Sequence, residues 1–271
     1  MKTRRILIIA ALALPAFTGL AHAGQTEWAD DAGGRMRMIM TTPDEDGTIR
    51  AALQVEPAEG FITYWREPGE SGIPPQITIG GNDDVTLEAI AYPVPKRIDL
   101  AGVTDMGYDG PVTFPLTFKA APGTHPQMDV TTFIGLCKDI CIPFQTTFEI
   151  TASTYADSAV DAAILAVADT TLPEAPSADF RVERAVSTGE ALELALALPE
   201  AENPEITLAS SGGGFIVKVP AGAMADGAYT ITIPLTSLPD GRDSVAGDWL
   251  LLAKAGGRAM ETPLVFETVS P

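Results

Sequence analysis

Arg35-Met36-Arg37-Met38-Ile39-Met40 puts Met36, Met38 and Met40 on one side of an extended segment and two arginines on the other. That period of two is the mark of a strand with one buried face. Similar short runs follow at residues 48–55, 61–66, 85–92, 112–118, 128–134 and 146–150, separated by Gly, Pro and Asp. Strands at this spacing, with turn residues between them, predict a β-sandwich.

The period changes at residues 155–169, where Ala156, Val160, Ala163, Ile164 and Val167 fall on one helical face. Leu172-Pro173-Glu174-Ala175-Pro176 then ends the helix. Strand signals resume at 180–186, 192–198, 206–209, 215–219, 229–235, 249–253 and 262–266. In Leu192-Glu193-Leu194-Ala195-Leu196-Ala197-Leu198 the alternating leucines imply one buried face. The expected fold is all-β: two β-sandwich domains, 24–152 and 177–271, joined by a helical, proline-rich linker at 153–176.

Residues 1–23 read as a cleavable export signal. Lys2, Arg4 and Arg5 precede an apolar run from Ile6 to Ala16, and Ala21-His22-Ala23 has the small-x-small form that signal peptidase cuts after. The mature chain is expected to start near Gly24, and no later stretch approaches the roughly 20 apolar residues of a membrane helix. The expected product is therefore exported and not membrane-spanning. Removal of the three leader cations leaves 14 Lys and Arg against 36 Asp and Glu, a formal charge of −22. Such a surface repels phosphate backbones, which argues against nucleic acid and anionic membranes as partners. A basic protein face fits it better, and acidity that serves only solubility fits equally.

The chain has two cysteines, in Leu136-Cys137-Lys138-Asp139-Ile140-Cys141-Ile142-Pro143. In an oxidising compartment this pair is expected to form a disulfide. Closing so short a loop stabilises by roughly 2 kcal/mol in the loop-entropy picture, and a chain of this length does not depend on staples. Both an exchangeable and a structural bond are compatible with these residues.

Four segments, in order, resemble the periplasmic N-terminal domain of the DsbD and ScsB transmembrane thiol-disulfide reductases: Tyr64-Trp65-Arg66-Glu67-Pro68-Gly69-Glu70-Ser71-Gly72-Ile73-Pro74-Pro75; Tyr92-Pro93-Val94-Pro95; Gly107-Tyr108-Asp109-Gly110 leading to Pro115; and Cys137 to Pro143. They cover about residues 28–152. The resemblance implies an immunoglobulin-like fold and thiol-disulfide interchange, the electron-transfer work that supports cytochrome c biogenesis. Electrons would come from a thioredoxin-like or transmembrane thiol reductase donor and pass to oxidised periplasmic proteins. By similarity, Cys141 forms the mixed disulfide with a partner and Cys137 resolves it. The family also shields its disulfide with a loop that opens on docking. The matching stretch is Asp99-Leu100-Ala101-Gly102-Val103-Thr104-Asp105-Met106, with Leu100 as candidate shield; a plain surface loop fits it as well. Tyr64, Trp65, Tyr108 and Asp139 complete the candidate partner-binding set. The chain stops at Pro271 without the family's membrane domain, so its donor is expected to be a separate protein.

Other chemistry is sparse, and neither cofactor nor metal is expected. His125, the one histidine beyond the leader, sits beside a proline and reads as exposed. Gly212-Gly213-Gly214 lacks the Lys and Ser or Thr of a phosphate loop. Asp44-Glu45-Asp46-Gly47 and Asn82-Asp83-Asp84 lack calcium-loop spacing. Two alternatives to the relay stand beside it: a binding or assembly module whose disulfide pins a hairpin, and Cu(I) binding through Met36, Met38 and Met40, a stripe that also reads as core. No feature of the sequence lowers the thiol pKa values, since Lys138 is offset by Asp139 and the strand context supplies no helix N-terminus. The reduced pair is therefore predicted to react slowly with small disulfides and fast with a docked partner; rapid, partner-independent reaction at neutral pH in stopped-flow assays would contradict this.

Overall fold

The computed structural model describes residues 24–69, 72–81, 83–100, 103–152, 158–210, 216–217, 219–238 and 249–268. Residues 1–23 with the expected leader, Asn82, residues 155–157 at the expected start of the helix, Gly212-Gly213-Gly214 and the side chain of Leu100 lie outside them.

The first half contains β1 (Ala29–Asp31), β2 (Gly34–Met40), β3 (Thr48–Pro57), β4 (Thr63–Tyr64), β5 (Gln76–Gly80), β6 (Thr86–Ile90), β7 (Lys96–Leu100), β8 (Val103–Tyr108), β9 (Val112–Lys119), β10 (Gln127–Cys137) and β11 (Cys141–Thr151). They form three antiparallel sheets, ordered β1-β2-β3-β9-β6, β11-β10-β5 and β4-β8-β7. Period-two alternation decides which face is buried. Met36, Met38 and Met40 of β2, Leu53 and Val55 of β3, and Phe114, Leu116 and Phe118 of β9 all join one core with Trp65. The methionine stripe is thus core packing, with the Met36 sulfur accepting a hydrogen bond from the Thr132 hydroxyl at 3.3 Å.

Two expectations change. The strand expected at 61–66 shrinks to β4, because the Trp65 amide donates to the Met106 carbonyl and the chain then turns at Pro68, whose carbonyl accepts from the Met106 amide. Of the stretch 99–106, expected as a loop, residues 99–100 and 103–106 are strand, in the antiparallel β7–β8 pair with Lys96 opposite Gly107 and Asp99 opposite Thr104. Its strands are held by polar pairs such as the Thr104 hydroxyl on the Asp99 carboxylate at 2.7 Å, so they carry no apolar alternation.

α1 (Ala159–Asp169) starts at the N-cap Ser158, whose hydroxyl accepts from the Asp161 amide, and packs against β9. Beyond it come β12 (Arg181–Ser187), β13 (Ala191–Ala197), β14 (Glu205–Ser210), β15 (Ile216–Val217), β16 (Ala223–Ala225), β17 (Ala228–Pro234), β18 (Trp249–Ala255), β19 (Arg258–Leu264) and β20 (Glu267–Thr268). These make two sheets, β16-β17-β13-β12-β20 and β15-β14-β18-β19. Leu192, Leu194 and Leu196 of β13 face the second core, as the alternation requires.

The two halves touch directly. Leu250 and Leu252 of β18 and Ala209 of β14 join the first core, while Trp249, Leu251 and Ala253 join the second. A sheet buried on both faces accounts for the unbroken apolar run at 249–253. The proline-rich segment is pinned as well: Glu174 makes a bridge to Met260 and a two-pronged pair with Arg258 at 2.8 and 3.0 Å.

Across the seam, Arg66 pairs with Glu261 of β19 at 2.8 Å, its guanidinium 4.7 Å from the centre of the Tyr92 ring. The second carboxylate oxygen of Glu261 is buried without a hydrogen bond. Burial accordingly raises the Glu261 pKa above the usual carboxylate range, against the pull of Arg66. A raised folded-state pKa means that the folded chain takes up a proton more readily than the unfolded one. The contribution of Glu261 to stability therefore improves as pH falls from neutrality through the raised pKa. In denaturant titrations, the wild-type chain is expected to gain stability relative to Glu261→Gln between pH 7 and pH 5; an unchanged difference would refute the assignment.

Candidate functional site

The site is the closed end of the β10–β11 hairpin. The ladder runs from Gln127 opposite Thr151 to Cys137 opposite Cys141, and Lys138-Asp139-Ile140 form the loop. The Cys137 amide donates to the Ile62 carbonyl at 3.0 Å, and its carbonyl accepts from the Ile62 amide at 2.8 Å. Both backbone groups of Cys137 therefore point away from β11. That makes Cys137 and Cys141 a non-hydrogen-bonded pair, the kind in which side chains come closest. Their Cα atoms are 4.0 Å apart, and the sulfurs are joined.

The two sulfurs have unequal surroundings. Cys137 is 1% exposed and packs with Ile62 and Tyr64, with Ile98 of the β7–β8 hairpin against them. Cys141 is exposed, and beside it Ile140 is 73% exposed. The Tyr64 hydroxyl lies 3.8 Å from the Cys141 sulfur. A disulfide sulfur carries no hydrogen, so the phenol is the donor in this contact. Burial, with the charge of Asp105 adding to it, pushes the Tyr64 phenol up to about 12, which keeps that proton in place at neutral pH. Lys138 extends toward the Glu59 carbonyl and the Phe61 ring, away from the sulfurs.

The family motifs prove to be wiring between elements. The Tyr108 hydroxyl donates to the Pro93 carbonyl at 2.8 Å, and its ring meets Phe114 edge-on. Lys96 pairs with Asp109 at 2.6 Å. Gly107 must be glycine, since a Cβ there would lie 2.3 Å from the Thr63 carbonyl oxygen across the β4–β8 pairing.

The structure thus corrects the partner-binding set. Trp65 is fully buried in the core and Tyr108 is buried on Phe114, so neither presents a surface to a docking protein. Tyr64 is also buried, yet it touches the Cys141 sulfur through its hydroxyl. Asp139 is exposed in the loop, and the side chain of Leu100 lies outside the described residues. The sequence reading missed Ile62, Ile98 and Ile140. Alternation in Phe61-Ile62-Thr63-Tyr64 does put Ile62 and Tyr64 on one face, which is the signal that was available.

A family model described as "Thiol:disulfide interchange protein DsbD, N-terminal" matches residues 36–153, which contain the whole of this site. These residues belong to the DsbD N-terminal family. The crystal structure of the N-terminal periplasmic domain of ScsB from Proteus mirabilis superposes with a TM-score of 0.70 at 19% identity, covering 90% of this chain and 98% of that one. This likeness establishes a shared fold over both halves. The tandem immunoglobulin domains of titin reach a TM-score of only 0.22 at 9% identity, over 86% of this chain and 94% of that one, and support no argument. No curated protein matches the chain.

In the DsbD-type domain the immunoglobulin-like scaffold holds one sulfur in the interior and offers the other to solvent. Partial reduction followed by brief alkylation should label Cys141 at least about tenfold faster than Cys137, as read by peptide mass mapping. Equal labelling would show that both sulfurs are equally accessible.

Proposed function

We propose that the chain is an exported thiol-disulfide interchange protein that relays electrons through Cys137 and Cys141 to oxidised periplasmic proteins. The observation that carries this is the asymmetry of the disulfide: one sulfur accessible beside an exposed isoleucine, the other enclosed.

In the reduced protein the Cys141 thiolate attacks one sulfur of the acceptor's disulfide, and the acceptor's second sulfur leaves as a thiolate. The Tyr64 hydroxyl donates to the Cys141 sulfur while it carries charge. Cys137 then loses its proton and attacks the Cys141 sulfur, releasing the acceptor as a dithiol and restoring the Cys137–Cys141 bond. Two electrons and two protons pass to the acceptor. Recharging runs the same exchange in reverse: a thiolate of the donor, a thioredoxin-like protein or a membrane thiol reductase, attacks the exposed Cys141 sulfur and Cys137 is the leaving group.

The β7–β8 hairpin supports a shielding role at this end of the fold, since its Ile98 packs on Ile62, Tyr64 and Cys137. On this reading residues 1–23 are the leader, 24–152 the redox domain and 153–176 the connector. Residues 177–271 form a second sandwich that braces the first. Ile140 is the apolar contact for a docked partner, with Asp139 beside it.

The test is to trap the intermediate. Cys137→Ser, which keeps the exposed thiol but cannot resolve, should accumulate mixed disulfides with periplasmic proteins in vivo, whereas Cys141→Ser should not. The wild-type pair should also equilibrate with glutathione buffers, giving a potential above about −300 mV. A pair that resists reduction, combined with no capture by Cys137→Ser, would assign the bond a structural role.

A further inference from the structure

The carboxylate of Asp161, in the first turn of α1, is 2% exposed. Among the described residues no lysine or arginine pairs with it. Its oxygen Oδ1 accepts from the Gln25 side-chain amide, and Gln25 in turn accepts from Arg37 at 2.8 Å. A buried carboxylate is costly unless a cation or several hydrogen bonds compensate it. The group next to Oδ2 is Gly24. A Cβ built on Gly24 would sit 2.8 Å from Oδ2 and 2.8 Å from the Met40 carbonyl oxygen, and Gly24 has φ +96°. Nitrogen and Cβ on one Cα are about 2.5 Å apart, so the Gly24 nitrogen lies within about 5.3 Å of that oxygen.

Gly24 is also the residue that follows Ala21-His22-Ala23. From Gly24 onward the backbone is anchored: its carbonyl accepts from the Met40 amide at 2.7 Å, Gln25 bridges to Ile39, and the Thr26 amide donates to the Met38 carbonyl at 2.9 Å.

We infer that cleavage of the leader after Ala23 creates the counter-ion of Asp161: the new α-ammonium of Gly24 pairs with the buried carboxylate and fastens the mature N-terminus to helix α1. Signal peptidase adds water across the Ala23–Gly24 amide, leaving a carboxylate on the leader and an ammonium on Gly24. Before cleavage the same nitrogen is a neutral amide and supplies no charge. Only glycine fits the position, because any side chain would meet Asp161 and the Met40 carbonyl. The inference rests on the export reading and is independent of the relay.

Three measurements test it. Mass spectrometry of the exported protein should give Gly24 as the first residue; any other start overturns the inference along with the cleavage reading. The chain beginning at Gly24 should melt roughly 4 °C above the same chain extended by Ala23 or acetylated at Gly24. In the Asp161→Asn background that difference should fall below about 1 °C, whereas an equal loss in both backgrounds would mean that the extension acts sterically and no ion pair forms. Independently of any variant, the Gly24 amine of the folded mature protein should acetylate at least tenfold more slowly at pH 7 than in urea. Equal rates would refute the pairing while leaving the cleavage reading intact.

Discussion

The disulfide end of the molecule depends on the two backbone hydrogen bonds between Cys137 and Ile62. By turning both polar groups of Cys137 toward β4, they leave its side chain in a close, non-hydrogen-bonded pair with Cys141. A slip of one residue in β11 would send the second cysteine to the opposite face. That register is fixed further along the hairpin by Phe144, Phe148 and Ile150, which are buried while their neighbours on β11 face outward. Pro143 occupies an alternate position whose backbone groups point away from β10, so its missing N–H costs the ladder nothing. The sheet therefore holds the sulfurs together whether or not they are bonded, and opening the disulfide need not dissolve the hairpin.

Three consecutive residues connect this end to the rest. The Tyr64 hydroxyl reaches the Cys141 sulfur, Trp65 fills the first core, and Arg66 crosses to Glu261 in the second half. The seam they help to form is apolar at its centre, with Leu250 and Leu252 packed into the first core. Interfaces with such a centre hold domains as one body more firmly than polar contacts do. The second sandwich contains no cysteine, and this chain of contacts links it to the disulfide, which gives it a bracing part in the architecture.

Much of the scaffold was legible because burial on one face writes itself into alternation. Met36, Met38 and Met40, or Leu192, Leu194 and Leu196, could be assigned to cores before any coordinates. The β7–β8 hairpin was illegible for the opposite reason. Lys96, Arg97, Asp99, Thr104 and Asp105 interrupt any apolar pattern, and Asp105 is a fully buried carboxylate, which sequence rules place outside. The run at 249–253 was recognisable as a strand, but that its two faces serve different cores is a tertiary fact. At the site, the cysteines announced themselves, while the part played by Ile62 is carried by its backbone and has no side-chain signature. Trp65 and Tyr108 misled because aromatic residues in a family motif suit a docking surface and a core equally well.

In the proposed relay, the unequal exposure of the two sulfurs also orders the exchange. A thiolate at Cys137 would be enclosed by Ile62 and Tyr64, and burial in apolar surroundings favours the protonated thiol. In the dithiol form the negative charge therefore belongs on Cys141, where solvent and the Tyr64 hydroxyl receive it. The phenol keeps its proton available to donate, because its own ionisation is pushed far from neutrality. Once a partner is attached through Cys141, the remaining step requires the inner thiol to ionise beside a sulfur it already touches. In the proposed relay, proximity supplied by the hairpin takes the place of a lowered pKa, because the register that closes the bond also holds the two sulfurs within reach for its resolution.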